Sequence, residues 1–254
     1  MRMTRRAIIA VTAAGLSLLA GCSHTGGAVP GVSDTPWWMA SPSAKTTRPS
    51  SAPQAAGPAP TTTTPAPAAG SGPCGYAVAG KAARPVDMPP SDNLERSGST
   101  TVTLTINDAP VVLTVDRALA PCAANAFISL AEQGYYNDTS CHKLTTGDAK
   151  YLQCGDPSGT GNGGPGYSFP IEPGNRTGGS VSAGTLALVA DSQHRLGSQF
   201  VLIYGASKLS DSFSVIGTID KDGVNSISEI ADKGLADDGS SPKIDTKISS
   251  VVMG

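Results

Sequence analysis

The stretch CHKLTTGDAKYLQCGDP, Cys141 to Pro157, gathers two cysteines, a histidine, two lysines and two aspartates around a short turn. Such residues serve a metal site, a redox pair, a catalytic surface or only a hairpin. Structural zinc takes its ligands in tight local pairs such as C-x-x-C, and no such pair occurs anywhere in the chain. The histidines, His24, His142 and His194, are scattered. A dithiol redox pair is excluded on the same spacing. No metal and no cofactor are expected, which leaves a polar surface or a plain hairpin. On its own, Lys143 reads as a solvated strand lysine.

The compartment decides what the cysteines do. Arg2, Arg5 and Arg6 precede the run AIIAVTAAGLSLLA, which is apolar but too short to span a bilayer and ends in Leu19-Ala20-Gly21-Cys22. This predicts an export signal over residues 1–22. The last four residues resemble a bacterial lipobox, in which the Cys22 thiol is lipidated and becomes the new N-terminus. An ordinary signal peptide that happens to contain a cysteine is the alternative, and Arg5-Arg6 leaves Sec and twin-arginine export both open. The expected location is the outer face of the cell membrane, through a lipid anchor.

Cys74, Cys122, Cys141 and Cys154 remain, an even number in an exported chain, so disulfides are the default. Four cysteines allow three pairings. If Lys143 and Gln153 share one face of a hairpin, Cys141 shares that face and Cys154 points to the other. A direct Cys141 to Cys154 staple then needs a bulge. Cys122 is an alternative partner for either, and Cys74 would tie down the segment before the domain.

Residues 23–73 are dominated by Pro, Ala, Thr, Ser and Gly. Such a segment buries too little apolar surface to offset its ordering entropy and is expected to be an extended tether. Both tryptophans, Trp37 and Trp38, fall in it, as does the Thr61 to Thr64 run, whose composition would permit sugars. An extended segment over 74–99 leads into a globular domain over 100–254, long enough for one core and expected to be monomeric. With 18 Lys and Arg against 20 Asp and Glu the chain carries a net charge of -2 and no basic cluster. Nucleic acid is therefore not an expected partner.

Strand patterns dominate the domain. TTVTLTI, a turn at Asn107-Asp108, and PVVLTV predict a hairpin. Further strands are expected in CHKLT, KYLQC, GTLALVA, SQFVLIY, FSVIGTI and KIDTKISSVV. Pro121 opens a helical segment that Gly134 ends, and NSISEIADKG predicts a second helix with an Asn or Ser cap and a stop at Gly234. Many strands with two helices predict a mainly β fold, a closed antiparallel barrel with helical caps.

The order CHKL, QCGDP with the loop SGTGNGGPGY, GTLAL, GSQF and FSVIGTI resembles the cyclophilin family of peptidyl-prolyl cis-trans isomerases from Thr101 to the C-terminus. Taken as a phosphate cradle instead, the Gly-rich loop lacks a following Lys-Ser/Thr and a helix. The resemblance implies an eight-stranded antiparallel barrel closed by a helix at each end, with a groove on its outer face. It implies isomerisation of X-Pro bonds without a cofactor, assisting the folding of exported proteins. Lys143 stands where the family has an arginine that donates to the prolyl nitrogen, and Gln153 and Gln199 match the groove glutamines. The implied substrate contacts are Tyr151, Val189, Ala190, Phe200, Val201, Leu209 and Phe213. Several depart from the family: Val201 replaces a phenylalanine, Leu209 a tryptophan, and Val189-Ala190 an Ala-Asn pair, while Phe213 keeps an aromatic. The resulting pocket is smaller and less aromatic, so reduced activity is expected. The competing reading is a module that binds Pro-containing segments without turning them over.

Overall fold

The computed structural model describes residues 72–254. Cys22 with its lipobox, the tryptophan pair and the threonine run lie outside the described residues. Among the described residues no helix is long and apolar enough to cross a membrane.

The elements follow in chain order as β1 (Ala77–Val78), β2 (Ser99–Ile106), β3 (Ala109–Asp116), α1 (Pro121–Glu132), β4 (Thr139–Ser140), β5 (Lys143–Thr146), β6 (Lys150–Cys154), β7 (Tyr167–Pro170), β8 (Gly179–Val181), β9 (Thr185–Ala190), β10 (Arg195–Ile203), β11 (Ser207–Leu209), β12 (Phe213–Ile219), α2 (Lys221–Asp232) and β13 (Lys247–Met253). In β2 the alternation puts Val102, Leu104 and Ile106 inside. Asn107 and Asp108 both have positive φ, 47° and 66°, which suits the tight turn joining β2 to β3.

All pairings are antiparallel. The ladder runs β10-β9-β12-β3-β2-β13-β4, and on the other side β10 pairs with β6 and β6 with β5. β4 and β5 are one stretch of chain interrupted only by Cys141 and His142. Counted as one broken strand, they join the ends of the ladder into a ring of eight, with β1 and β7 branching off the start of β10 and β8 pairing with β11 as a separate ribbon.

α1 has Pro121 in its first turn and no side-chain cap of its own. Its open N–H groups are met from a distance: the Glu172 carboxylate accepts from Cys122 N at 2.9 Å and Ala123 N at 3.1 Å. Gly134, at φ 68°, lies just beyond the helix end, as its sequence position predicts. α2 begins four residues before the expected Asn225. Asp220 is its cap and accepts from Gly223 N at 3.0 Å. A Cβ at Gly223 would stand 2.6 Å from the capping oxygen Asp220 Oδ1 and 2.9 Å from the Val111 side chain, so glycine leaves room for the cap. The barrel interior is filled by a main core in which Phe127 meets Phe200 edge-on at 5.3 Å and Tyr136 meets Phe200 at 5.2 Å. Truncating Phe127 to alanine would cost about 3–5 kcal/mol.

Candidate active site

Lys143 and Gln153 are cross-strand partners in the β5–β6 hairpin. Both face outward, while their neighbours Leu144 and Leu152 enter the core. The two-residue break at Cys141-His142 changes the parity of the strand, and this supplies the irregularity that a Cys141–Cys154 staple needs. The disulfide forms there, with the Cα atoms 4.1 Å apart, and Cys74 pairs with Cys122. Lys143 therefore sits two residues from one half-cystine, and Gln153 directly beside the other.

Gln153 Nε2 donates to Gln199 Oε1 at 2.8 Å. Gln199 Nε2 in turn donates to the carbonyls of Gly161 at 2.8 Å and Gly163 at 3.1 Å. Both ends of the Gln199 amide are thus committed to fixed partners, whereas Gln153 Oε1 accepts no hydrogen bond among the described residues. The Gly-rich loop is itself held by Asp156, whose fully buried carboxylate accepts from Ser158 N at 2.8 Å, Gly161 N at 2.8 Å and Gly163 N at 2.9 Å, and from the Ser158 hydroxyl. Burial pushes this carboxyl up, but these hydrogen bonds outweigh it and hold Asp156 below the usual carboxylate range. At Gly163 a Cβ would collide with the carboxylate, so only glycine lets the loop close on it. Sequence reading missed Asp156. The signal was available in Asp156-Pro157-Ser158-Gly159, an aspartate placed to accept from the backbone two residues on.

His142 packs against Gly161, and both of its ring nitrogens are buried without a hydrogen-bond partner. Burial pushes its pKa down, the Asp156 charge opposes this and the Lys143 charge reinforces it, with a net shift below the ordinary histidine value. The neutral imidazole is thereby favoured over the charged one. Two clefts meet at Gln153: one of about 360 Å³ lined by His142, Lys143, Thr160 and Asp238, and a larger one of about 810 Å³ lined by Gln199, Val189, Ala190 and residues 78–81.

The other residues singled out in the sequence separate into two places. Tyr151, Val201, Leu209 and Phe213 pack together with Ala187 and Ile203 in a small apolar cluster outside the barrel, and Val189 packs at its margin. Tyr151 and Phe213 have ring centroids 5.9 Å apart and are only 8% and 9% exposed. None of the four lines either cleft. The expectation of Phe200 as a substrate contact is corrected: Gln199 and Val201 face outward, so alternation turns Phe200 into the barrel core. Among the described residues no group of His, Cys, Asp or Glu is arranged to hold a metal ion.

Comparison with known proteins agrees with this geometry. The family profile described as "Cyclophilin type peptidyl-prolyl cis-trans isomerase/CLD" matches residues 101–253. The chain is 35% identical over 187 residues to "Probable peptidyl-prolyl cis-trans isomerase B" of Mycobacterium tuberculosis, covering 68% of this chain and 61% of that one. Its likeness to the protein of the same name in Mycobacterium leprae is 37% over 173 residues, covering 63% and 59%. The chain thus spans about three fifths of the length of these relatives. A crystal structure of a Cryptosporidium parvum cyclophilin type peptidyl-prolyl cis-trans isomerase shares the fold, with a TM-score of 0.53 at 24% identity, covering 62% of this chain and 98% of that one. From the matched profile, the ring of eight strands and the two helices, this chain belongs to the cyclophilin-type peptidyl-prolyl cis-trans isomerase family.

Proposed function

We propose that this protein is a slow peptidyl-prolyl cis-trans isomerase that acts on X-Pro bonds of proteins in the cell envelope and assists their folding. The observation that carries this reading is the pairing of Lys143 with Gln153, and of Gln153 with Gln199, at the meeting point of two clefts. Rotation about an X-Pro bond faces a barrier of roughly 18–20 kcal/mol, because the amide must give up its conjugation. No covalent step is needed. A charged donor at the prolyl nitrogen favours the pyramidal, deconjugated amide, and Lys143 is the donor available. Gln153, with Oε1 uncommitted and Nε2 anchored on Gln199, is placed to accept from a substrate N–H while the peptide turns.

Slowness follows from two features. An ammonium lacks the planar two-pronged fork of a guanidinium. The outer apolar cluster, where a proline ring would seat, is already filled by Tyr151, Leu209 and Phe213. That filling also supports a second reading, a monomeric module that binds Pro-containing segments in the larger cleft without turning them over. Measuring cis-trans exchange of Ala-Pro peptides by NMR with the purified protein separates the two. Exchange that is faster than the uncatalysed rate and falls with Lys143→Ala supports the isomerase. Binding without any acceleration supports the module.

We further propose that a lipid on Cys22 holds the protein at the outer face of the cell membrane, on a tether formed by residues 23–73. The support is the Leu19-Ala20-Gly21-Cys22 lipobox pattern after a basic, apolar leader. Labelling with a fatty-acid analogue should mark the wild-type protein and not Cys22→Ala. Equal labelling of both would overturn the anchor.

A further inference from the structure

Residues 74–98 precede the segment that matches the family, yet they are fastened to the rest of the domain at several points, two of which bound the stretch 74–84. At one end stand the Cys74–Cys122 disulfide and Tyr76, whose hydroxyl donates to the Cys122 carbonyl at 2.6 Å and whose ring meets Phe169 edge-on at 5.0 Å. At the other end a single guanidinium nitrogen of Arg84 donates to the carbonyls of Gly134, Tyr135 and Asn137 at 3.1, 2.9 and 2.6 Å. The strap between these anchors runs along the edge of β7. β1 pairs with it, Ala79 N donates to Gly166 O and Ala83 N donates to Gly164 O, both at 2.9 Å. Gly166, at φ 81°, is the point of closest approach: a Cβ there would stand 3.1 Å from that of Ala82.

The strap thereby contributes Val78 to Lys81 to the lining of the 810 Å³ cleft, and Val189, Ala190, Asp191, Gln193 and Arg195 contribute a second part of it. Val78 is 68% exposed, an apolar side chain at the rim of a largely polar cleft. That second part carries one charge of each sign, Asp191 and Arg195. Asp191 Oδ1 accepts from Gln193 N at 2.8 Å and Arg195 N at 2.9 Å, and the Arg195 guanidinium donates to Ser168 Oγ and Ser168 O, each at 2.7 Å. Lys81 is exposed and forms no salt bridge among the described residues.

We propose that this strap is a specificity element: Lys81 and Val78 form a subsite for an acidic side chain of the substrate, several residues away from the X-Pro bond. This rests on the reading of the adjoining groove as a proline-peptide site. The Lys81 ammonium pairs with the incoming carboxylate, and the Val78 side chain covers its methylene stem. An exposed pair of this kind contributes about two- to fivefold in affinity and weakens as salt rises.

The test measures binding rather than turnover. Fluorescent Ala-Pro peptides carrying Glu, Gln or Lys at each position from two to five residues away from the proline are titrated against the full protein and against Lys81→Glu. At one position the Glu peptide should bind the wild type about two- to fivefold more tightly than the Gln peptide, and Lys81→Glu should reverse the order in favour of Lys. Loss of the preference at high salt supports the same pairing. Equal binding of all three side chains at every position, in both proteins, overturns the subsite and leaves the groove intact. Failure of every proline peptide to bind overturns the groove reading and the subsite together.

Discussion

Gln153 and Gln199 are joined by one hydrogen bond of 2.8 Å, and its direction separates their roles. Gln199 accepts there and donates both of its N–H groups to the Gly161 and Gly163 carbonyls, so no donor of its amide remains for a ligand. Gln153 keeps an oxygen and one N–H. On the proposed function, Gln153 is the expected substrate contact and Gln199 a positioning residue. Gln153→Ala should lower kcat/KM by roughly two- to tenfold, the worth of one neutral hydrogen bond. Gln199→Ala should act mainly by freeing the loop, visible as faster amide exchange at Gly161 and Gly163. An equal and purely kinetic effect of the two variants would contradict this division.

Asp156 sets the loop that Gln199 grips. Asp156→Asn keeps the shape but turns an amide N–H toward donors that need an acceptor, so at least one buried donor goes unpaired. A loss of about 1–3 kcal/mol in unfolding free energy is expected. Isomerase or peptide-binding activity should fall with it, since Gly161 and Gly163 are held by that carboxylate. Denaturant unfolding with a parallel peptide titration checks both.

Most of the barrel was legible in the sequence, and the reasons are local. KYLQC and FSVIGTI fall on β6 and β12 residue for residue, and Asn107-Asp108 is a turn that its own side chains favour. α2 was read as starting four residues late, because Asn225 and Ser226 are themselves capping residue types, whereas the cap is Asp220. β1, β4, β7, β8 and β11 escaped notice: each is four residues or fewer and exists through partners distant in the chain. At the site, the shared hairpin face of Lys143 and Gln153 was legible, but the hydrogen bond from Gln153 to Gln199 was not. The closure of Tyr151 on Phe213 and the strap beside Val189 are tertiary facts with no local pattern.

His142 is expected to lose its contribution in one acid window, and Asp156, with Asp238, in another. The His142 pKa is depressed in the folded state, so its neutral form favours folding above the ordinary value of 6.5, and that contribution is lost as pH falls from there toward the folded value. Asp156 is likewise depressed, and its contribution is lost only as pH falls from 3.8 through its lower folded value. Thermal unfolding should therefore show a first loss of stability beginning near pH 6.5 and a second beginning near pH 3.8. His142→Gln should remove the first and leave the second. Persistence of the first in that variant would mean that another group causes it.

The two disulfides should fail differently. Chain-entropy arguments assign about 4 kcal/mol to Cys74–Cys122, which closes a 48-residue separation, and about 3 kcal/mol to Cys141–Cys154, which closes 13. Paired serine substitutions at Cys74 and Cys122 should lower Tm and release the strap while leaving Lys143 in place. The same change at Cys141 and Cys154 should reduce activity by more than its effect on Tm implies, since Lys143 and Gln153 flank that staple. Measuring Tm and kcat/KM on both variants decides the matter, and proportional losses in the two would refute it.

The last prediction concerns rate. Replacing a two-pronged cation by Lys143 forfeits at least one charge-assisted hydrogen bond, on the order of 1.5–3 kcal/mol where water is excluded, or roughly ten- to a hundredfold in rate. Lys143→Arg should recover part of this, because the position is half-buried beside Gln153 and forms no salt bridge among the described residues. Recovery is limited by the outer cluster. Val201 is fully buried there, so enlarging it to the family's phenylalanine would overpack the seat, at a cost of about 1–3 kcal/mol. Room must come instead from removing a neighbour. Leu209→Ala costs about 2–5 kcal/mol of stability and leaves space between Tyr151 and Phe213 for a proline ring. Combined with Lys143→Arg, it should raise kcat/KM beyond either change alone. If Lys143→Arg leaves an already fast enzyme unchanged, the donor has been misassigned. If the double variant binds proline peptides tightly and still fails to turn them over, the fold has kept the recognition of its family and lost the catalysis.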